Sequence, residues 1–298
     1  MKVTGIGGGH GLAATLRAAR IYATDVSAVV TVADDGGSSG RLSRELGIPP
    51  PGDIRNCLVA LAGDRDGAAL YQHRFRSGAL TGHTVGNLVI AALTEMTGDF
   101  AEAVAQTGRL LGCSGHVFPA TTDLVGLRAQ VAGGVVEGQV AVAQTEEKIQ
   151  AVFLDPPDPV AHDQAVAAIL GADQIVLGPG SLFTSLIATL LVPGIKAALA
   201  EARAPKVYVC NARIQKGETQ GFDAAAHVET LLAHAGADSI DAVILQSPPV
   251  SPDGIPVDSD AVRALGIEVI EADVATRAGT HDPERLAEVL GPLARAGH

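Results

Sequence analysis

The chain has 298 residues, 33 acidic and 21 basic, for a formal net charge of −12; 47% of its residues are hydrophobic but only 3% are aromatic, with no Trp. That balance disfavours a long polyanion such as DNA, leaves no base-stacking platform, and is too rich in aliphatic mass for a disordered chain. No apolar run approaches the roughly 18 residues of a membrane span. Met1–Ile6 enters a strand pattern at once, with no basic n-region and apolar h-region, so no signal peptide is expected. Cys57, Cys113 and Cys210 form no CxxC pair and are expected as free thiols in a reducing cytoplasm.

Taken along the chain, short apolar runs predict strands over 3–6, 27–32, 149–154, 174–177, 206–210, 242–246 and 268–271. Periodic segments predict helices over 12–20, 160–170, 182–191, 223–235, 259–265 and 283–294. Unbroken runs such as Ala28-Val29-Val30 and Ala242-Val243-Ile244-Leu245 are what strands buried on both faces require. The expected fold is α/β: a doubly wound, mostly parallel Rossmann-like sheet in a three-layer α/β/α arrangement. Two stretches interrupt the alternation. Residues 52–112 carry only helical patterns, with Val85, Leu88, Val89, Ala92, Leu93 and Met96 as one buried stripe, and predict a helical insertion. Residues 124–144 predict a β-hairpin turning at Gly133-Gly134, a small antiparallel appendage. No linker or repeat divides the chain, so one domain over 1–298 is expected.

The first strand runs into Gly7, Gly8, Gly9, His10 and Gly11, with five glycines between Gly5 and Gly11. Strand, glycine cluster and helix together let backbone N–H groups approach a phosphate, and five glycines exceed what a plain turn needs. The dinucleotide fingerprint G-x-G-x-x-G fails at its third glycine, and the P-loop pattern lacks its Lys. The second strand ends in Asp34, Asp35, Gly36, Gly37, Ser38, Ser39, Gly40 and Arg41. Asp34 sits near the roughly 20-residue offset of a ribose-binding acid, while adjacent carboxylates also suit Mg²⁺ and the Ser and Arg donors suit phosphate. Asp53 and Asn56 follow, Asp53 serving equally as a helix N-cap. His83 and Asn87 open the apolar-striped helix at i, i+4. Gly180 and Ser181 repeat the strand–glycine–helix pattern, with Ser181 as N-cap and a second helix N-terminus for an anion. Asn211, Gln215, Glu218 and Thr219 lie in a polar loop leaving another strand and suit a base or sugar edge. Cys210 reads as core. Arg277, His281 and Asp282 begin the last helix, Asp282 as its N-cap. Loops at strand ends from distant parts of the chain describe a nucleotide-sized cleft.

These motifs resemble one family closely: Gly7 to Gly11, Val32 to Leu42, Pro51 to Leu58, Gly82 to Asn87, Gly178 to Ser181, and the Asn211…Thr219 loop match, in order, the gluconeogenesis factors, or YvcK-like proteins. That family lies within the wider CofD-like group that contains the 2-phospho-lactate transferases. The resemblance implies a cytoplasmic regulator that binds UDP-sugars, notably UDP-N-acetylglucosamine. It also implies a requirement for normal cell shape and wall synthesis on gluconeogenic carbon sources. A protein partner in wall synthesis and a homo-oligomer are both open to such a protein; a nucleic-acid partner and a membrane span are not expected. The sequence departs from the family pattern at His10, where Thr is common, and at Arg213 and Lys216. Two other readings stay open. One is a transferase acting on a nucleoside-diphospho-linked substrate with Mg²⁺ on Asp34, Asp35 or Asp53. The other is an NAD-dependent dehydrogenase, supported by the Asp34 offset and opposed by the failed fingerprint.

Overall fold

The computed structural model describes residues 1–296; the last two residues of the expected domain lie outside the described residues. The strands are β1 (Lys2–Gly7), β2 (Asp25–Val30), β3 (His116–Pro119), β4 (Gly126–Val131), β5 (Gly134–Glu137), β6 (Ala151–Asp155), β7 (Gln174–Leu177), β8 (Lys206–Val209), β9 (Ala242–Gln246) and β10 (Glu268–Ala272). Seven of them form one sheet in the order β10-β9-β8-β7-β1-β2-β3, and every neighbouring pair in it is parallel. The other three form an antiparallel sheet in the order β5-β4-β6.

The helices are α1 (Gly9–Tyr22), α2 (Gly37–Leu46), α3 (Gly52–Leu61), α4 (Arg65–Gln72), α5 (Val85–Thr97), α6 (Phe100–Leu110), α7 (Gln139–Ala143), α8 (Asp163–Leu170), α9 (Leu182–Leu190), α10 (Pro193–Glu201), α11 (Ala224–Ala235), α12 (Ser259–Ala264) and α13 (Pro283–Ala296). Period-two side-chain direction divides the core between the two faces of the large sheet. Val176 joins Val3, Val207 and Ile244 on the face covered by Leu12 and Leu16 of α1, Ile54 and Leu58 of α3, and Leu286 and Leu290 of α13. Ile175 and Leu177 join Ile6, Tyr208 and Val243 on the opposite face, under Leu186 of α9, Ile195 of α10 and Val228 of α11. The expected three-layer, doubly wound sheet is therefore the observed one. Among the described residues no single helix is long and apolar enough to cross a membrane; α9 and α10 are apolar together but meet at a 76° bend.

Five local expectations change. The buried face of α5 is Gly86, Asn87, Ile90, Ala91 and Thr94, not the apolar stripe, of which Ala92 and Met96 are exposed. The run at 149–154 is not part of the large sheet: β6 pairs antiparallel with β4, and its alternating burial is that of a strand packed on one side only. Residues 52–112 are helical, but they are not a bulge on the fold, because α3 packs on α1 and the segment leads into β3, the sheet's edge strand. That four-residue strand, with His116 exposed, is too short and polar to register as an apolar run. The Gly36–Arg41 loop is mostly the first turn of α2. The hairpin at 124–144 continues past β5 into the short helix α7.

Between β7 and β2, β1 is the switch point: the chain leaves β1 towards β2 and β3 on one side and returns at β7 on the other. Loops following adjacent strands part there, leaving a crevice outside the carboxyl ends of the strands.

Candidate functional site

The crevice is a cleft of about 630 Å³ whose floor is the β1–α1 loop. Gly7 and Gly9 take positive φ of 146° and 65°, which L side chains adopt rarely. Gly8 is extended at the N-cap of α1 and offers no side-chain cap. Its neighbours explain why it is glycine: a Cβ there would collide with the Asp53 carboxylate, and a Cβ at Gly11 would strike the Pro179 carbonyl of the opposite loop. Two strand-end loops thus meet backbone to backbone, and the first turn of a 14-residue helix faces the cleft with its partial positive charge. His10 lies on the rim, where burial first, then Arg55 and Arg17, lower its pKa.

Asp34 and Asp53 both line the cleft. Burial raises Asp34; its carboxylate accepts the Gly36 N–H at 2.9 Å and a hydrogen bond from Ser39. Burial and then the Asp34 charge push Asp53 up to about 7, against the Gly9 N–H and the Arg55 charge, which favour its ionised form. The Asp34 charge acts on Asp53, whereas the like charge acting on Asp34 is that of Asp35; two carboxylates held out of water in one cleft are suited to share a proton or a cation. Asp35 does not join them: its Oδ1 accepts the Val140 N–H at 2.9 Å, tying the β2–α2 loop to α7. Of the three carboxylates expected at a Mg²⁺, two face the cleft.

Ser38, Asn56, His83 and Asn87 are 4%, 5%, 7% and 1% exposed and form a buried network beneath the cleft instead of lining it. Ser38 Oγ lies 3.0 Å from His83 Nδ1, and Asn87 Nδ2 donates to Ser38 Oγ at 3.1 Å. Arg55 donates to Thr84 Oγ1 at 2.7 Å, Asn87 Oδ1 at 2.9 Å and Asn56 Oδ1 at 2.7 Å. Burial, followed by the Arg74 charge, lowers Arg55 to about 10. Ser39 accepts the Gly52 N–H at 2.9 Å, fixing the start of α3 and with it Asp53. Arg41 reaches away to the Thr81 carbonyl at 2.7 Å.

The second strand–glycine–helix junction is built differently from its sequence expectation. Ser181 makes no cap hydrogen bond to α9. Glu218, 6% exposed, reaches in from the β8–α11 loop, and its Oε2 accepts the Phe183 and Thr184 N–H groups at 3.0 and 3.3 Å; Thr184 Oγ1 donates to Oε1 at 2.6 Å. Gln215 Oε1 accepts the Leu182 N–H at 3.3 Å, and Asn211 Oδ1 accepts the Gly180 N–H at 3.1 Å. The anion at this helix start is the protein's own carboxylate. Thr219, fully buried, accepts the Gln215 N–H at 3.0 Å. Asn211 and Gln215 line the cleft with their amides tied to the wall: Asn211 Nδ2 donates to the Gly180 carbonyl at 2.7 Å and to Gln215 Oε1 at 2.9 Å, and Gln215 Nε2 donates to Ser181 Oγ at 3.1 Å; Glu218 and Thr219 do not line it.

Residues outside the expected set complete the walls: Arg17, Gln139, Ser185 and His281. Arg17 follows His10 by seven positions on α1, a spacing legible in sequence. His281 stands just before α13, where Asp282 Oδ1 accepts the Glu284 and Arg285 N–H groups at 3.0 and 3.3 Å. Burial lowers His281 to about 4 despite a hydrogen bond to the Cys210 backbone, so its ring is neutral, and its buried Nε2 has no partner among the described residues. Nothing near residue 281 signals that α13 begins at the cleft; the packing of α13 against α1 places it there.

The family model for CofD, 2-phospho-L-lactate transferase, matches residues 3–275. The gluconeogenesis factor of Bacillus subtilis is 42% identical, over 98% of each chain. That of Halalkalibacterium halodurans is 39% identical over 97% of this chain and 95% of its own. A crystal structure of a Bacillus halodurans protein superposes with a TM-score of 0.94 at 39% identity, covering 97% of this chain and 98% of that one. The chain belongs to the CofD family and, within it, to the gluconeogenesis factors.

Proposed function

We propose that the chain is a nucleotide-sugar-binding regulatory protein of the cytoplasm, with UDP-N-acetylglucosamine as its ligand. The observation that carries this reading is the switch-point cleft, whose volume suits a nucleotide and whose floor is glycine backbone at an uncapped helix start. The diphosphate lies over Gly8 to Gly11, and the amide edges of Asn211 and Gln215 read the uridine. The sugar faces Asp34 and Asp53. Occupancy alters which conformation a partner in cell-wall synthesis meets, so the ligand must bind two states with different affinity; the phenotype expected of its loss is misshapen cells on gluconeogenic carbon. Calorimetric titration with UDP-N-acetylglucosamine tests the reading: saturable binding supports it, and neither heat nor a thermal shift at millimolar ligand overturns it.

The Asp34–Asp53 pair favours a second reading, a transferase on a nucleoside-diphospho-linked substrate. Two carboxylates raised by burial at a phosphate cleft fit a divalent cation; among the described residues no group of three metal-ligating side chains supplements the pair, so phosphate oxygens and water would complete the shell. Mg²⁺ held by Asp34 and Asp53 would neutralise charge on the diphosphate. Asp53, near neutrality, would hold or release a proton there. Release of UMP or UDP from a UDP-sugar with Mg²⁺ separates this reading from the first.

A further inference from the structure

The face of α1 that enters the cleft does not stop there. His10, Ala14 and Arg17 line the nucleotide cleft and follow one another at i, i+4 and i+7, a single helical face. Arg20 extends the face by three residues, and Arg17 and Arg20 together with Arg65, the first residue of α4, line a second recess of about 450 Å³. Arg17 borders both spaces, so the recess is the continuation of the cleft along α1. From His10 to Arg17 the helix rises about 10 Å, roughly the reach of a sugar diphosphate.

The recess is cationic in a chain whose net charge is −12. Among the described residues neither Arg17 nor Arg65 makes an ion pair or a side-chain hydrogen bond with the protein. Arg20 donates to the Ala60 and Ala62 carbonyls at 3.0 and 3.2 Å through one nitrogen, which fixes its guanidinium at the end of α3. The one carboxylate lining the recess, Asp64, is already engaged as the N-cap of α4, accepting the Asp66 and Gly67 N–H groups at 3.1 and 2.8 Å. Burial works first against the protonated form of Arg17, Cys57 opposes it and the Arg20 charge adds to it, for a net lowering that a bound anion would relieve.

We propose that the Arg17–Arg20–Arg65 recess is an anion subsite that binds a carboxylate or phosphate group. The group is carried either on the sugar of a nucleotide sugar seated in the cleft or on a separate small anion bound beside it. The first source rests on the cleft being a nucleotide-sugar site; the second does not.

Two titrations on the whole chain test it. In the first, UDP-glucuronate and UDP-glucose are compared at low salt. The acidic sugar should bind at least fivefold more tightly, with the ratio falling as ionic strength rises. Arg65→Gln should bring the ratio to about one, Arg65→Lys should keep most of it, and affinity for UDP-glucose should not change in either. In the second, inorganic phosphate is titrated with and without saturating UDP-glucose. An Arg65-dependent heat that survives saturation identifies a separate anion. Either signal supports the subsite and names its source. If UDP-glucose binds but the acidic sugar gains nothing and phosphate gives no Arg65-dependent heat, the subsite is overturned. If UDP-glucose does not bind at all, the nucleotide-sugar reading of the cleft fails, and the phosphate titration alone decides the recess. Arg65 is exposed and has no protein partner, so an unchanged melting temperature shows that its variants remain folded.

Discussion

The two strand–glycine–helix junctions that flank the cleft are alike in sequence and opposite in use. After β1 the chain enters α1 through Gly8 with no side-chain cap, and the helix start opens onto the cleft. After β7 the chain enters α9 through Gly178 to Ser181, and the equivalent N–H groups are taken by Glu218, Gln215 and Asn211. One junction faces the cleft with only the Asp53 carboxylate beside it; at the other the N–H groups are taken up by the protein's own side chains. The composition of the turn does not separate these cases. What separates them is a carboxylate 35 residues further along the chain, which rigidifies the Asn211–Thr219 loop against α9. The filled junction builds the wall against which the open one works.

The largest effect is expected at the open junction. A Cβ at Gly11 meets the Pro179 backbone carbonyl, which has no flexible end to move aside. Gly11→Ala should destabilise the fold by about 3 kcal/mol and abolish ligand heat, as read by urea unfolding and calorimetry. Gly47→Ala is the control: its φ is 65° and a Cβ there meets nothing within 4 Å, so it should cost about 1 kcal/mol from backbone strain and leave binding intact.

At the filled junction, Glu218→Ala strips the Phe183 and Thr184 N–H groups of their buried acceptor and should cost about 2 to 3 kcal/mol. If the two junctions differ only in their occupant, the variant becomes an anion site. Sulfate should then raise its melting temperature more than it raises that of the parent chain. Equal shifts in the two proteins would mean that α9 differs from α1 in more than its cap.

Asp53 connects the two behaviours, since it sits over the open junction with the Gly9 N–H directed at it. Its folded pKa of about 7 lies above an unfolded value near 3.9. The native state therefore holds an extra proton between those limits. The resulting stabilisation is full below about pH 4 and is lost as pH rises through 7. For a carboxylate this deeply desolvated the loss should be on the order of 2 to 4 kcal/mol. Asp53→Asn should flatten this dependence of unfolding free energy on pH, and a divalent cation that binds here should bind more tightly above pH 7, where the proton no longer competes.

The layers of the fold were legible because β7, β8 and β9 are buried along their whole length and therefore read as continuous apolar runs. β3 was not, because an edge strand carries exposed residues such as His116 in its pattern; β6 was legible as a strand, but not as a member of the small antiparallel sheet, since pairing partners leave no local signature. In the site, the glycine loop and Asp34 were legible because backbone approach and acid pairs have local signatures. Glu218 and His281 depend on which loops the topology brings together, and no local pattern encodes that. The same limit explains the buried network: Ser38, Asn56, His83 and Asn87 have the chemistry of ligand contacts, but α3 and α5 bury them behind Asp53.

The smallest effect follows from that burial and bears on whether the network serves the cleft at all. Ser38→Ala removes the hydroxyl beside His83 Nδ1 and the acceptor of the Asn87 amide. Asn87 keeps its bond from Arg55, so only part of the network is lost, and the expected cost is about 1 kcal/mol in unfolding free energy. Because the hydroxyl is buried away from the cleft lining, UDP-N-acetylglucosamine affinity should change less than twofold. A tenfold loss with intact stability would instead mean that the network moves when ligand binds, carrying Arg55 and the Asp34–Asp53 pair with it, and the distinction between a lining that binds and a layer that supports would no longer hold on the α3 side of the cleft.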